Sequence, residues 1–183
     1  MIGFSKFWNR QGVAARASAQ KLYSGLSAAA LTAPLYEEGA AIDTFEGRAA
    51  MITAHAALVM RRLKSIEGHA SRKIAERLNR LVLDGFDAAY REKGGGDSSI
   101  ARKVRKLAEV HYGLGKSLTG ALNAVATDQG ESLTSCVTRN RLSEPGKESL
   151  LVDYLLHNAR QFAQLNDKTV LSGELLWIHA GKD

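Results

Sequence analysis

A chain of 183 residues with 45% hydrophobic and 24% charged residues holds enough apolar material for one core, which excludes both a disordered chain and two sizeable domains. The formal net charge of +6 favours an acidic counterpart: anionic lipid, RNA or an acidic protein face. A single cysteine, Cys136, rules out an intrachain disulfide and an all-cysteine metal site.

No run approaches the ~20 apolar residues needed to cross a bilayer. The first 21 residues carry Lys6, Arg10, Arg16 and Lys21 and no acid. They read as a basic extension with the composition of a transit peptide or of a membrane-surface helix. Within it Phe4, Phe7 and Trp8 stand beside Lys6 and Arg10, a pattern suited to membrane contact, with rings at headgroup level and cations on lipid phosphate.

Two prolines in the whole chain allow long helices. The spacing predicts a first helix over residues 14–31, with Leu22 and Leu26 on one face, ended by Pro34. A loop then carries Leu35 and Tyr36, which are expected to tuck inward. Asp43 or Thr44 can cap a second helix, whose stripe takes in Met51, His55, Leu58, Val59, Arg62 and Leu63. Gly68 is a plausible stop. A third helix follows over residues 71–92, with Ile74, Leu78, Val82 and Phe86 on its apolar face. Gly94-Gly95-Gly96 connects it to a fourth, about residues 100–125, with Ile100, Val104, Leu107 and His111 on one side and Arg102, Lys103, Arg105 and Lys106 mostly on the other. Gly113, Gly115 and Gly120 cost this helix about 1 kcal/mol each relative to Ala. Shorter helices are expected over residues 132–139, 148–165 and 169–178. No segment alternates as a strand does. The expected architecture is an all-α, single-domain irregular bundle of about six or seven helices over residues 22–178, followed by a tail, 179–183.

No constellation for catalysis emerges. Gly113-Leu114-Gly115-Lys116-Ser117 ends like a phosphate-binding loop, but Val110 stands where the first glycine belongs, and an amphipathic helix precedes it instead of a strand. The five histidines show no ligand spacing, so neither a metal site nor a cofactor is expected. His55 and His111 each fall on an apolar face, the usual setting of a hydrogen-bonded core histidine. Cys136 reads as a small buried hydrophobe.

Several stretches, in shared order and spacing, carry a family resemblance. They are Leu22-Tyr23 with Pro34-Leu35-Tyr36; Asp43-Thr44, Gly47-Arg48, His55 and Arg61-Arg62-Leu63; Gly96-Asp97 with the basic run to Lys106 and then Tyr112-Gly113; and Leu150-Leu151-Val152-Asp153-Tyr154 with Leu171-Ser172-Gly173-Glu174 and Trp177. Together they resemble the ubiquinol–cytochrome c chaperone family. That resemblance implies a helical, non-enzymatic assembly factor without a cofactor. It implies that the chain binds newly made cytochrome b and aids assembly of the bc1 complex, as mitochondrial relatives do partly at the ribosomal exit with a small partner protein. The short lead before the matched region resembles the bacterial branch. The expected location is then the bacterial cytoplasm at the inner membrane, or the matrix side of the mitochondrial inner membrane in a eukaryote.

A chaperone for an apolar client needs a sheltered apolar surface that remains open. The expected client-binding residues are Leu35, Tyr36, His55, Val59 and Tyr112. The basic face of Arg102, Lys103, Arg105 and Lys106 is the expected partner face, for ribosomal RNA, anionic lipid or an acidic client loop; no DNA-binding role is expected. The competing class is a ribosome- or RNA-associated helical module, which the charge favours but no motif supports.

Overall fold

The computed structural model describes residues 3–94, 97–127 and 132–178, and side chains from Gly12 onward outside 95–99 and 126–131. Eight helices are described: α1 (Gly3–Ala30), α2 (Ala33–Glu37), α3 (Phe45–Lys64), α4 (His69–Glu92), α5 (Asp97–Thr127), α6 (Leu133–Arg139), α7 (Glu148–Gln164) and α8 (Asp167–Leu171). There is no strand among the described residues. The all-helical bundle expected from the sequence is the fold.

α3 is the hub, packed against α1, α4, α5, α7 and α8. A single apolar stripe was expected on it, yet residues 53–59 are all buried. Ala54, Ala56 and Ala57 explain the difference: they lie off the stripe, yet side chains so small sit below the surface of the neighbouring helices and are covered. Thr44 caps α3, its hydroxyl accepting from the Gly47 N–H at 3.0 Å, while Asp43 pairs with Arg48 at 2.7 Å. Position 47 must be glycine, because a Cβ there would lie 2.0 Å from the Ile42 carbonyl oxygen.

Arg62 sits on the apolar stripe of α3 and is buried, with its charge satisfied at the end of α7. Its Nε donates to the Phe162 carbonyl at 2.8 Å and its Nη2 to the Leu165 carbonyl at 2.7 Å and to Asp167 at 2.6 Å. A cation on those open carbonyls complements the negative end of the helix dipole.

Four boundaries differ from expectation. The first helix does not begin near residue 14 but runs unbroken from Gly3, and Ala15 and Ala19 are already core side chains. α1 passes residue 21 without a break. The loop expected at Leu35 and Tyr36 is the short helix α2, with Pro34 in its first turn, where its missing N–H costs nothing. The last helix stops at Leu171 rather than reaching 178. Gly173 (φ 86°) turns the chain so tightly against α1 that a Cβ would meet the Ser18 carbonyl at 2.6 Å, and residues 174–178 cross the bundle without helical structure. Gly68, expected as the stop of α3, instead precedes the first turn of α4, as α3 already ends at Lys64.

Candidate functional site

The residues expected to bind a client separate into two settings. Leu35, His55 and Val59 are wholly covered, at 0% exposure. They belong to the core and reach no open surface. Tyr36 is half-covered, its hydroxyl donating to the Ala30 carbonyl at 2.7 Å and its ring lying 4.8 Å from the Arg48 guanidinium. Tyr112 is 55% exposed.

His55 is locked in a dry node. Its Nδ1–H donates to the Met51 carbonyl at 2.8 Å, which leaves Nε2 to accept from the Tyr154 hydroxyl, also at 2.8 Å. Trp177 lies 5.0 Å from the imidazole and 4.8 Å from the Phe162 ring, centroid to centroid. Burial holds the imidazole pKa down to about 4, so it is neutral at physiological pH, and burial raises the Tyr154 phenol. The segment after α8 is tied to the same place: Asn158 accepts from the Ile178 N–H at 3.0 Å and donates to its carbonyl at 3.4 Å.

His111 is the open counterpart. Its Nδ1 lies 2.9 Å from the Thr53 hydroxyl and its Nε2–H donates to Asn79 Oδ1 at 3.3 Å. Asn79 Nδ2 in turn donates to the Tyr112 hydroxyl at 3.0 Å. Burial lowers the His111 pKa as well. In the neutral imidazole the Thr53 hydroxyl donates to Nδ1; after protonation it can turn to the Ala49 carbonyl, 3.0 Å away, and accept instead.

This chain of polar groups forms one wall of a groove of about 490 Å³ among α3, α4 and α5. Ala56, Ala57 and Met60 of α3, Ala75 of α4 and Gly115 and Thr119 of α5 make its apolar part, and Lys64, Lys116 and Glu76 border it. Of the expected residues only Tyr112 lines it directly. The sequence reading missed the floor because alanines on a helix look like close-packing residues. The available signal was Gly115. A Cβ there would find only Thr53 Cγ2, at 4.0 Å, so packing does not demand glycine, yet glycine in mid-helix costs about 1 kcal/mol.

Arg102, Lys103, Arg105 and Lys106 are all exposed on α5, and Lys103 and Lys106 edge a separate cleft beside α4. Phe4, Phe7 and Trp8 lie on the first turns of α1, and their side chains are outside the described residues. The Gly113-to-Ser117 stretch is continuous helix inside α5, so its backbone N–H groups are spent on helical bonds and cannot ring a phosphate. No helix among the described residues is long and apolar enough to cross a membrane.

A sequence model described as "Ubiquinol-cytochrome C chaperone" matches residues 37–177, most of the chain. The chain belongs to that family. No curated protein matches the chain. Among solved structures, the Cbp3 homolog from Brucella abortus superposes with a TM-score of 0.79 at 25% sequence identity, covering 96% of each chain. The ubiquinol–cytochrome c chaperone match takes in α3 to α8, and so every helix that lines the groove. It also takes in Trp177, the residue that closes the His55 node, and it leaves all of α1 outside. Membership supports a general role in bc1 assembly and a client protein as partner.

Proposed function

We propose that this chain is a non-enzymatic assembly factor that receives newly made cytochrome b and holds one of its apolar segments in the α3–α4–α5 groove before the bc1 complex forms. The observation that carries this reading is Gly115: a glycine kept in the middle of a long helix, at a cost to that helix, where the protein's own packing leaves its side-chain position open. What that vacancy supplies is depth in a groove whose floor is alanine, methionine and threonine. Small floor residues admit the bulky side chains of a client helix, and helix-in-groove docking needs little else.

The size of the groove suits release as well as capture. A space of about 490 Å³ takes two or three leucine-sized side chains. Each contributes roughly 2 kcal/mol on burial, and part of that is offset by the cost of association. Together they give about 4–6 kcal/mol before that cost, an affinity between roughly millimolar and tens of micromolar at best, enough to cover a segment briefly and weak enough to surrender it. The polar wall of His111, Asn79 and Tyr112 supplies hydrogen-bonding groups at one side, which would orient the segment.

Gly115→Leu tests this reading, because it should fill the groove while improving the helix. The expected outcome is an unchanged or raised melting temperature together with several-fold less cytochrome b precursor captured on the tagged protein from its own cells. Undiminished capture with a filled groove would overturn the assignment of the site. The same reading places the protein at the inner face of the membrane, with Phe4, Phe7 and Trp8 as its contact. Deleting residues 1–10 should then weaken binding to anionic vesicles and leave thermal stability nearly unchanged.

A further inference from the structure

A second concavity lies on the seam of α3 and α5, meeting the groove only at Thr53. One part, about 400 Å³, lies beside Lys93, Lys103 and Lys106; the next, about 420 Å³, reaches Arg141; and the two share Glu46, Ala50 and Val110. They form one trough with an apolar floor that includes Ala50, Leu107 and Leu114. Four cations border it, and among the described residues Glu46 is its only lining carboxylate. Lys103, Lys106 and Arg141 enter none of the ion pairs among the described residues, which join other groups. Val110 is half exposed on the trough's edge.

Arg141 makes the arrangement harder to explain by folding alone. Its φ of 50° is the one positive value held by a non-glycine among the described residues. It follows Asn140, the C-cap of α6, at the position where glycine ends a helix most cheaply. A long cationic side chain stands where the backbone favours none, at a residue that lines the trough. Strained positions of this kind cluster where a ligand is held.

We propose that this trough docks an acidic, amphipathic segment of a partner protein, with apolar side chains in the floor and carboxylates on Lys103, Lys106 and Arg141. The mixed lining selects this occupant. A phosphate backbone favours unbroken positive charge, and Glu46 interrupts it. A planar layer of lipid headgroups cannot follow a concave apolar floor between two helices. A helix with an oily stripe flanked by Asp and Glu satisfies floor and rim together. Apart from Thr53, no residue lines both this trough and the client groove, so the two can fail separately.

The test uses the full chain and a short labelled helical peptide with a leucine stripe flanked by glutamates. The controls are the same peptide with lysines for glutamates, an RNA oligonucleotide, and vesicles containing about one-third anionic lipid. The acidic peptide is expected to bind and the basic one to fail. K103E/K106E should weaken binding about tenfold or more, and added salt should do the same. Arg141→Gly should weaken it several-fold while the melting temperature holds or rises, a combination that a merely structural arginine would not give. The proposal is overturned if the acidic peptide does not bind, or if binding ignores these substitutions. It is equally overturned if RNA or vesicles, and not the peptide, are what K103E/K106E loses.

Discussion

His55 and His111 look alike in the sequence, each on the apolar stripe of a long helix, and they end in opposite settings. His55 is sealed by α7 and Trp177, bonded at both nitrogens to groups that are themselves fixed. His111 has the same apolar neighbours along its own helix, but its outer nitrogen meets Asn79 and then the exposed Tyr112. The difference lies in what covers each face, which periodicity along one helix cannot report. One node is built for rigidity, with every polar group paired away from water; the other leaves polar groups at the edge of an open groove. Stability should therefore depend on the first and client handling on the second.

The largest expected effect comes from Val59→Asp, one turn from His55. It puts a carboxylate in the sealed core with no partner, costs about 4 kcal/mol or more, and should leave little folded protein by circular dichroism. If this variant folded normally and only lost client binding, the core assignment of Val59 would be wrong.

Acid should open the same node. The folded-state pKa of His55 is about 4 against an ordinary 6.5, so the unfolded chain takes up the proton first. Stability is complete above about pH 6.5 and is lost progressively as pH falls toward 4, by roughly 3 kcal/mol in all. His111, also depressed, adds to this loss in the same direction. Denaturant midpoints measured from pH 7.5 to 4 should show the slope, and His55→Gln should flatten most of it. An equally steep profile in His55→Gln would assign the acid sensitivity elsewhere.

Tyr154→Phe is milder. It removes the donor to His55 Nε2 and leaves that acceptor without a partner among the described residues, at about 1–2 kcal/mol, visible as a lowered melting temperature. At the open node Tyr112→Asp should cost stability less than about 1 kcal/mol, since the group is exposed and Asn79 can turn to water. Its effect should appear instead as poor cytochrome b accumulation in cells with a normal level of folded chaperone.

How legible all this was follows from the same contrast. The helices were readable because apolar residues recur at three and four on α3, α4, α5 and α7, and only prolines or glycines interrupt. Their boundaries failed where tertiary contact decided them: α1 continues below residue 14, and the chain beyond Leu171 leaves the helix because Gly173 must pass close to Ser18. The motif reading of Gly113 to Ser117 as helix rather than phosphate loop holds in α5. The site was the least legible. Bulky residues such as Leu35 and Val59 attract attention as binding candidates, but bulk is what fills a core. The groove floor is made of Ala56, Ala57 and Gly115, whose contribution is the room they leave, and room is a property of several helices at once. The basic residues proposed as a partner face were picked out by charge alone; that Arg141 lines the same trough from beyond α6 required the fold.

Photo-crosslinking to newly made cytochrome b tests the heart of this reading most directly. A photoreactive residue would replace Tyr112 at the groove in one sample and Glu37, remote from the groove lining, in another. Adducts with cytochrome b from position 112, lost when Gly115→Leu is added, are expected, with little from position 37. Equal adducts from both positions, or adducts from 112 that persist in the filled groove, would contradict a client held among α3, α4 and α5.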